Sequence, residues 1–364
     1  MATASTGRRD LALDAFRGLA VLGMVLVNLQ GSGPVAFGMF EHAAWDGVSF
    51  ADLVFPFFLL AAGLAVPLAL DQRAHHGVPA GVFVAVLRRA VLLFLIGAAI
   101  NWLYRPDLDL HQLRVAGVLQ RIAIVYLACA WLCLSVKGWR VALIVALLLL
   151  VAHGILLLLP AQGEASASFA RGAGITAWLD RVALPGRPFR PDYDPEGLLS
   201  TLSAIASGMI GVAVQRAVQG SATPLRIIGA AAIVCLLLAG VATLWWPLNK
   251  ALWTPSFALL TAGLGLVLWV ALRGGWSWFG ASGVARFTVV LGQTALTLYV
   301  VQALLAAVLI QQIGGETLWA TGYDTLGRIG LSPGWASLFF ALIAGGVSIA
   351  ITLLLRQRGW LLKL

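Results

Sequence analysis

Long apolar runs recur along the chain, separated by short polar segments in which arginine is the commonest charged residue. A membrane-crossing helix needs about 20 mostly apolar residues. On that measure the pattern predicts about ten helices, near 11–29, 52–70, 87–104, 115–135, 140–160, 197–215, 226–246, 254–272, 287–311 and 335–355. The 287–311 stretch is long, and dividing it differently gives eleven. The first run follows Arg8 and Arg9 but is interrupted by Asp14 and Arg17 and lacks a small-residue cleavage site, so it reads as an uncleaved span. The expected fold is all-α, a polytopic transmembrane helical bundle. No Ser/Gly linker, low-complexity tract or internal repeat divides residues 1–364, which read as a single domain with 161–196 as its longest loop.

Composition points the same way. The chain is 60% hydrophobic and 11% charged, against about 25% charged in a soluble domain. The net charge of +9 does not indicate nucleic acid, because the basic residues fall on alternate loops as orientation in a bilayer requires. Arg8, Arg9, Arg73, Arg88, Arg89, Lys137, Arg140, Arg216, Arg226, Arg273, Arg286, Arg356, Arg358 and Lys363 share one side. Arg105, Arg114, Arg171, Arg181, Arg187, Arg190, Lys250 and Arg328 share the other, half of them in the long loop. The first side is expected to be cytoplasmic, with both termini there and loop 161–196 extracytoplasmic. Five histidines and three cysteines fit no metal pattern, so no metal is expected. Cys129, Cys133 and Cys235 lie in apolar runs and read as small packing residues. No H-E-x-x-H, G-x-x-x-x-G-K or G-x-S-x-G motif occurs.

The chemistry gathers at the outer ends of the spans. Glu41, His42, Trp45, Asp46 and Asp52 precede or open the second apolar run, and ionisable groups at such a place mark a functional site by default. His42 and Asp46 are four apart, so a helical turn would put them on one face and let the carboxylate orient the imidazole. Asn28 ends the first span. Gln120 and Arg121 lie about 8–9 Å into the fourth at 1.5 Å per residue. Asp192, Asp194 and Glu196 stand at the mouth of the sixth, where carboxylates are favoured by the helix dipole alone. Asn249, Lys250, Trp253 and Ser256 link the seventh and eighth. The Arg121 guanidinium must face the interior and find an anion, with Asp52 and Glu196 at suitable depth. Asp14 and Arg17, three apart, suit a local salt bridge. His153 reads as a packing residue and His75 and His76 as solvated loop residues. Spacing therefore leads to an outward polar pocket, in a transporter or an intramembrane enzyme.

The motifs LDAFRGLAVLGMVLVN, FEHAAWDGVSFADLVFPFFL, RVAGVLQRIAIVY, YDPEGLLSTLSAI and LNKALWTPSF, in this order, closely resemble the heparan-α-glucosaminide N-acetyltransferase family of transmembrane acyltransferases, bacterial relatives included. The likeness runs from about residue 10 to the C-terminal RQRGWLLKL. It implies acetyl transfer across a bacterial inner (cytoplasmic) membrane, from cytoplasmic acetyl-CoA to the amino group of a terminal glucosamine or related amino sugar outside. It makes His42 the active histidine and matches Asn28 and Asp52 to further family positions. Two departures stand out. The family's relative carries asparagine where this chain has Asp46, and Thr294 in GQTALTLY replaces a common asparagine. The eukaryotic member's N-terminal lumenal domain has no counterpart here, which argues against heparan sulfate as substrate.

On that resemblance His42, Asp52 and Asn28 are the catalytic candidates. His42 serves as general base or as acetyl acceptor, Asp52 orients it, and Asn28 donates to the developing oxyanion. Trp45, Asp46, Asp194, Glu196, Asn249, Lys250 and Trp253 are candidates for the sugar. Trp45 and Trp253 would wall a tunnel or stack on a sugar ring, unless both are interfacial belt residues. Arg17, Arg88, Arg89, Gln120, Arg121 and Ser256 are candidates for CoA, the arginines for its phosphates. A sugar or amino-sugar transporter using the same pocket is the alternative, or an acyltransferase acting on a cell-wall acceptor. Forty glycines permit close packing within or between protomers, which leaves a homodimer open.

Overall fold

The computed structural model describes residues 10–31, 36–74, 80–106 and 109–362; Arg8, Arg9, His75, His76 and Lys363 lie outside them. In chain order the helices are α1 (Leu11–Asn28), α2 (Phe50–Ala74), α3 (Ala80–Tyr104), α4 (Val118–Ser135), α5 (Trp139–Leu157), α6 (Gly174–Ala183) and α7 (Ser200–Val218). They continue with α8 (Pro224–Ala242), α9 (Pro255–Gly274), α10 (Trp276–Phe279), α11 (Gly283–Gln293), α12 (Ala295–Leu309), α13 (Leu318–Arg328) and α14 (Pro333–Gln357). Among the described residues nine of these are long and apolar enough to cross a membrane, and α11 with α12 makes a tenth, bent by 77°. The long 287–311 run is thus one broken crossing rather than a straight helix. Thr294 sits at the break, its hydroxyl turned back onto the carbonyls of Val290 and Leu291, a side-chain bond that competes with the helical ladder and bends it.

Ion pairs and loop contacts define the two ends of the bundle. At one end Arg114 before α4 pairs with Asp194 before α7, and the Gly31 amide meets Ser337 near the start of α14. At the other, Asp10 pairs with Arg273 at the end of α9, and Asp71 with Arg216 at the end of α7. Arg356 there reaches Gln293, and Gln293 reaches Asp14.

Close helix crossings hold the centre. A Cβ on Gly18 of α1 would fall on the Thr288 carbonyl of α11, and one on Gly292 would fall on the Asp14 carbonyl of α1. The two glycines therefore let these backbones touch, the means by which helices associate where lipid removes the hydrophobic drive. The main core gathers Phe16, Leu60, Leu64, Phe257 and Trp269, and a second, smaller one gathers Val25, Leu291, Leu298 and Ala341. Large apolar side chains such as Leu148, Leu237 and Leu342 face outward on α5, α8 and α14.

Two features have no counterpart in the predicted pattern. Within loop 161–196 the short α6 is folded, and after α12 comes a hairpin, β1 (Gln312–Ile313) with β2 (Glu316–Thr317), leading into α13. Both helices are amphipathic and shorter than a span, so a search for 20-residue apolar runs passes over them.

Candidate active site

The site is built on the first turn of α2. Ser49 precedes the helix and Asp52 is its third residue, and the Asp52 carboxylate reaches back to accept from the Ser49 amide and hydroxyl, both at 3.1 Å, which is one half of a capping box. The same Oδ2 accepts from the Ala43 amide at 3.0 Å. Its other oxygen, Oδ1, lies 2.8 Å from His42 Nδ1 and 3.4 Å from Lys250 Nζ. Five donors, the Ser49 hydroxyl among them, converging at a helix N-terminus suit an ionised carboxylate, which only accepts. Nδ1 then carries the imidazole hydrogen, and Nε2 is left with its lone pair. His42 is half exposed, toward the cavity described below.

Lys250 comes to the same point from the loop between α8 and α9. Its Nζ is 3.0 Å from His42 Nδ1 and 3.3 Å from Nε2. Burial pulls its pKa below the ordinary lysine value, with the charges of Asp52 and Glu196 opposing. The loop is fixed by Asn249, which is fully buried. Its amide donates to the Trp45 carbonyl and to Asp46, and its oxygen accepts from the Leu252 amide. Trp253 carries a φ of +48°, rare for a large residue. Its ring is locked between Phe55 and Phe257 with Arg121 over its face. The strained residue thus turns a loop whose lysine faces the imidazole.

A cavity of about 630 Å³ opens in front of His42. Its polar lining includes Asn28, Asp52, Tyr104, Arg114, Arg171, Arg190, Glu196, Lys250 and Gln302, and the Asn28 amide is 3.4 Å from Gln302 Oε1. Trp45 and Tyr193 form an edge-to-face wall, with the Trp45 indole nitrogen bonded to the Phe169 carbonyl in the long loop. A second cavity of about 240 Å³ lies toward the other end, largely apolar, with Arg17 and Arg89 on its lining. Arg89 lies over the Tyr126 ring. Met24 lines both cavities. Arg17, Val21, Met24 and Asn28, spaced four, three and four, form one stripe of α1 that runs from the second cavity into the first.

The structure separates several residues from the site. Residues 42–46 are not helical, so Asp46 does not share a turn with His42; Asp46 faces Asn249, and Asp52 contacts the imidazole instead. Arg121 is fully buried but pairs with neither Asp52 nor Glu196, which are taken by His42 with Lys250 and by Arg114. It donates to the Gly197 carbonyl and Ser200 Oγ, while its Nε and Nη1 have no hydrogen-bond partner among the described residues. Trp253 is a core residue, neither a belt residue nor a stacking platform. Asp194 is buried and held by Arg114 and by the amides of Phe189 and Glu196, out of reach of a sugar. Gln120, Arg121 and Ser256 are buried and line neither cavity, Ser256 bonding to the Trp246 and Pro247 carbonyls. Arg88 is exposed on the outer face of α3, one residue off the lining that Arg89 joins. Asp14 and Arg17 make the local pair at 3.8 Å, and His153 is buried against Ser203. Residues missed in the sequence are Arg114, Tyr104, Tyr193 and Gln302. Of these only Arg114, a cation four residues ahead of a span, left a readable signal.

Comparison with known proteins bears on these residues. Residues 9–187, which include Arg17, Asn28, His42 and Asp52, match a domain of unknown function, DUF5009. Heparan-α-glucosaminide N-acetyltransferase of Homo sapiens is 28% identical over 250 residues, 55% of this chain and 37% of that protein. The Mus musculus protein of the same name is 27% identical over 257 residues, 57% of this chain and 39% of that protein. The matched region is well under half the length of either relative. Over a little more than half of its length the chain is thus similar to the heparan-α-glucosaminide N-acetyltransferases of both organisms.

Proposed function

We propose that this protein is a transmembrane N-acetyltransferase that moves acetyl from cytoplasmic acetyl-CoA to the amino group of a glucosamine-type sugar on the extracytoplasmic side. The observation that carries this reading is the α1 stripe. It joins an arginine-bearing apolar cavity to a polar one that ends at His42, Asp52 and Lys250. Pantetheine is slender and uncharged, which suits a course along this stripe past Met24, a residue on the lining of both cavities. Arg17 and Arg89 stand where CoA phosphates would arrive from the cytoplasm.

At the far end His42 Nε2 has two routes open to it. As base it takes the proton of the sugar ammonium while the amine attacks the thioester; as nucleophile it first becomes acetyl-imidazole. Asp52 holds the ring in the tautomer both routes need. Asn28 offers a neutral donor to the oxyanion. Trp45 and Tyr193 wall the place of the sugar ring, and Glu196 is the carboxylate available to its hydroxyls.

The test is free CoA released by purified protein from acetyl-CoA on addition of glucosamine. His42→Ala should abolish that release while preserving the detergent-solubilised fold. Uptake of labelled glucosamine into vesicles with no CoA release would overturn the reading in favour of a transporter.

A further inference from the structure

We propose that Lys250 is a catalytic residue whose ammonium holds the negative charge that develops on the acetyl carbonyl oxygen beside His42. The inference rests on the acyl-transfer reading and gives the reaction a cation that the resemblance had placed among the candidates for the sugar.

The geometry argues against a sugar contact and against a merely structural ion pair. Lys250 Nζ is closer to either ring nitrogen of His42, at 3.0 and 3.3 Å, than to Asp52 Oδ1 at 3.4 Å. Asp52 is already held by the amides of Ala43 and Ser49 and by His42 Nδ1, so it does not depend on the lysine for its donors. Lys250 also lines the larger cavity, so a group entering beside His42 meets its Nζ directly. Its loop is pinned by the buried Asn249 and turned by the strained Trp253, which spares the reorganisation a free lysine would need. An acyl group seated beside Nε2 has this ammonium within reach of its carbonyl oxygen.

In direct transfer the amine lone pair forms the C–N bond and the carbonyl π pair moves to oxygen, facing Lys250. Collapse re-forms the carbonyl and breaks the C–S bond, its electron pair leaving on sulfur. The proton lost by the amine passes through His42 to the thiolate. The balance closes with acetyl-CoA and amine giving amide and free CoA. Lys250 keeps its proton throughout.

The experiment uses the full chain in detergent, with glucosamine-dependent CoA release as the readout. Lys250→Met should lower kcat by about 100-fold or more with a far smaller change in KM for acetyl-CoA, the size of loss typical for one oxyanion donor. Lys250→Cys should be equally slow and should recover when aminoethylated with 2-bromoethylamine, which rebuilds an ammonium at nearly the same reach. Carbamidomethylation at the same position should restore nothing. Cys129, Cys133 and Cys235 are all buried, so the introduced thiol is the accessible one. Thermal unfolding of each variant separates misfolding from lost chemistry, and Lys250→Arg, retaining a cation, provides a second folded comparison. A kcat within about threefold of wild type in Lys250→Met, or a folded aminoethylated variant that stays slow, overturns the proposal. Wild type without glucosamine-dependent release would instead sink the acetyltransferase reading itself.

Discussion

Replacing Arg114 by methionine tests the joint on which the outer cavity is assembled. The guanidinium donates through Nε and Nη2 to both oxygens of Asp194, at 2.8 and 2.7 Å, and through Nη2 to Glu196. It also lies 4.7 Å from the Phe189 ring centroid. Burial works against its charge, yet the bonds and charges of the two carboxylates outweigh it and hold its pKa above the ordinary arginine value. Methionine fills much of the volume but strands two carboxylates, one of them fully buried. Breaking a buried pair in this way costs about 3–5 kcal/mol. Asp194 keeps amide donors from Phe189 and Glu196, which places the expected loss near the low end, about 3 kcal/mol. Equilibrium unfolding in mixed micelles measures it. Combining Arg114→Met with Asp194→Asn and Glu196→Gln should recover most of the loss, since no charge is then left without a partner. A loss below about 1 kcal/mol for the single variant would place this cluster with weak surface pairs and refute the reasoning.

Two further outcomes follow from the same structure. The Asp180 carboxyl on α6 is pushed up to about 6 by burial, with the Leu198 amide that donates to it opposing and the Asp194 charge adding. A raised acid stabilises the fold fully below its unfolded value of 3.8 and loses that contribution as pH rises through about 6. Wild type should therefore lose about 3 kcal/mol relative to Asp180→Asn across that window, read from unfolding midpoints at matched pH; parallel curves would refute it. Met24→Trp places a large ring in the wall that the two cavities share. It should abolish glucosamine-dependent CoA release in a protein of unchanged thermal stability, and full activity would exclude passage of the donor along α1.

The spans were legible because a hydrocarbon solvent leaves a strong one-dimensional signature, a run of apolar residues of the right length. The ten predicted runs match nine helices and one broken pair. The signature has no term for a bend within a run, so the 77° break at Thr294 was invisible, as were α6 and α13, whose short amphipathic turns resemble loop. At the site, the position of Asp52 at a helix mouth was legible, because it opens the second apolar run. His42 was legible from its place before the span and from the resemblance.

The amino-acid sequence by itself determined which segments are apolar enough to cross a membrane and that an imidazole and several carboxylates gather at the mouth of the second. Tertiary packing alone decided which charges meet. Asp52 receives Lys250 from a loop about 200 residues away, Arg114 rather than Arg121 takes Glu196, and Met24 comes to line two cavities at once. The physical reason is that helix periodicity fixes the face a side chain occupies. The neighbour that face meets is chosen by how ten crossings pack, through contacts such as Gly18 on α11 that carry no local signal.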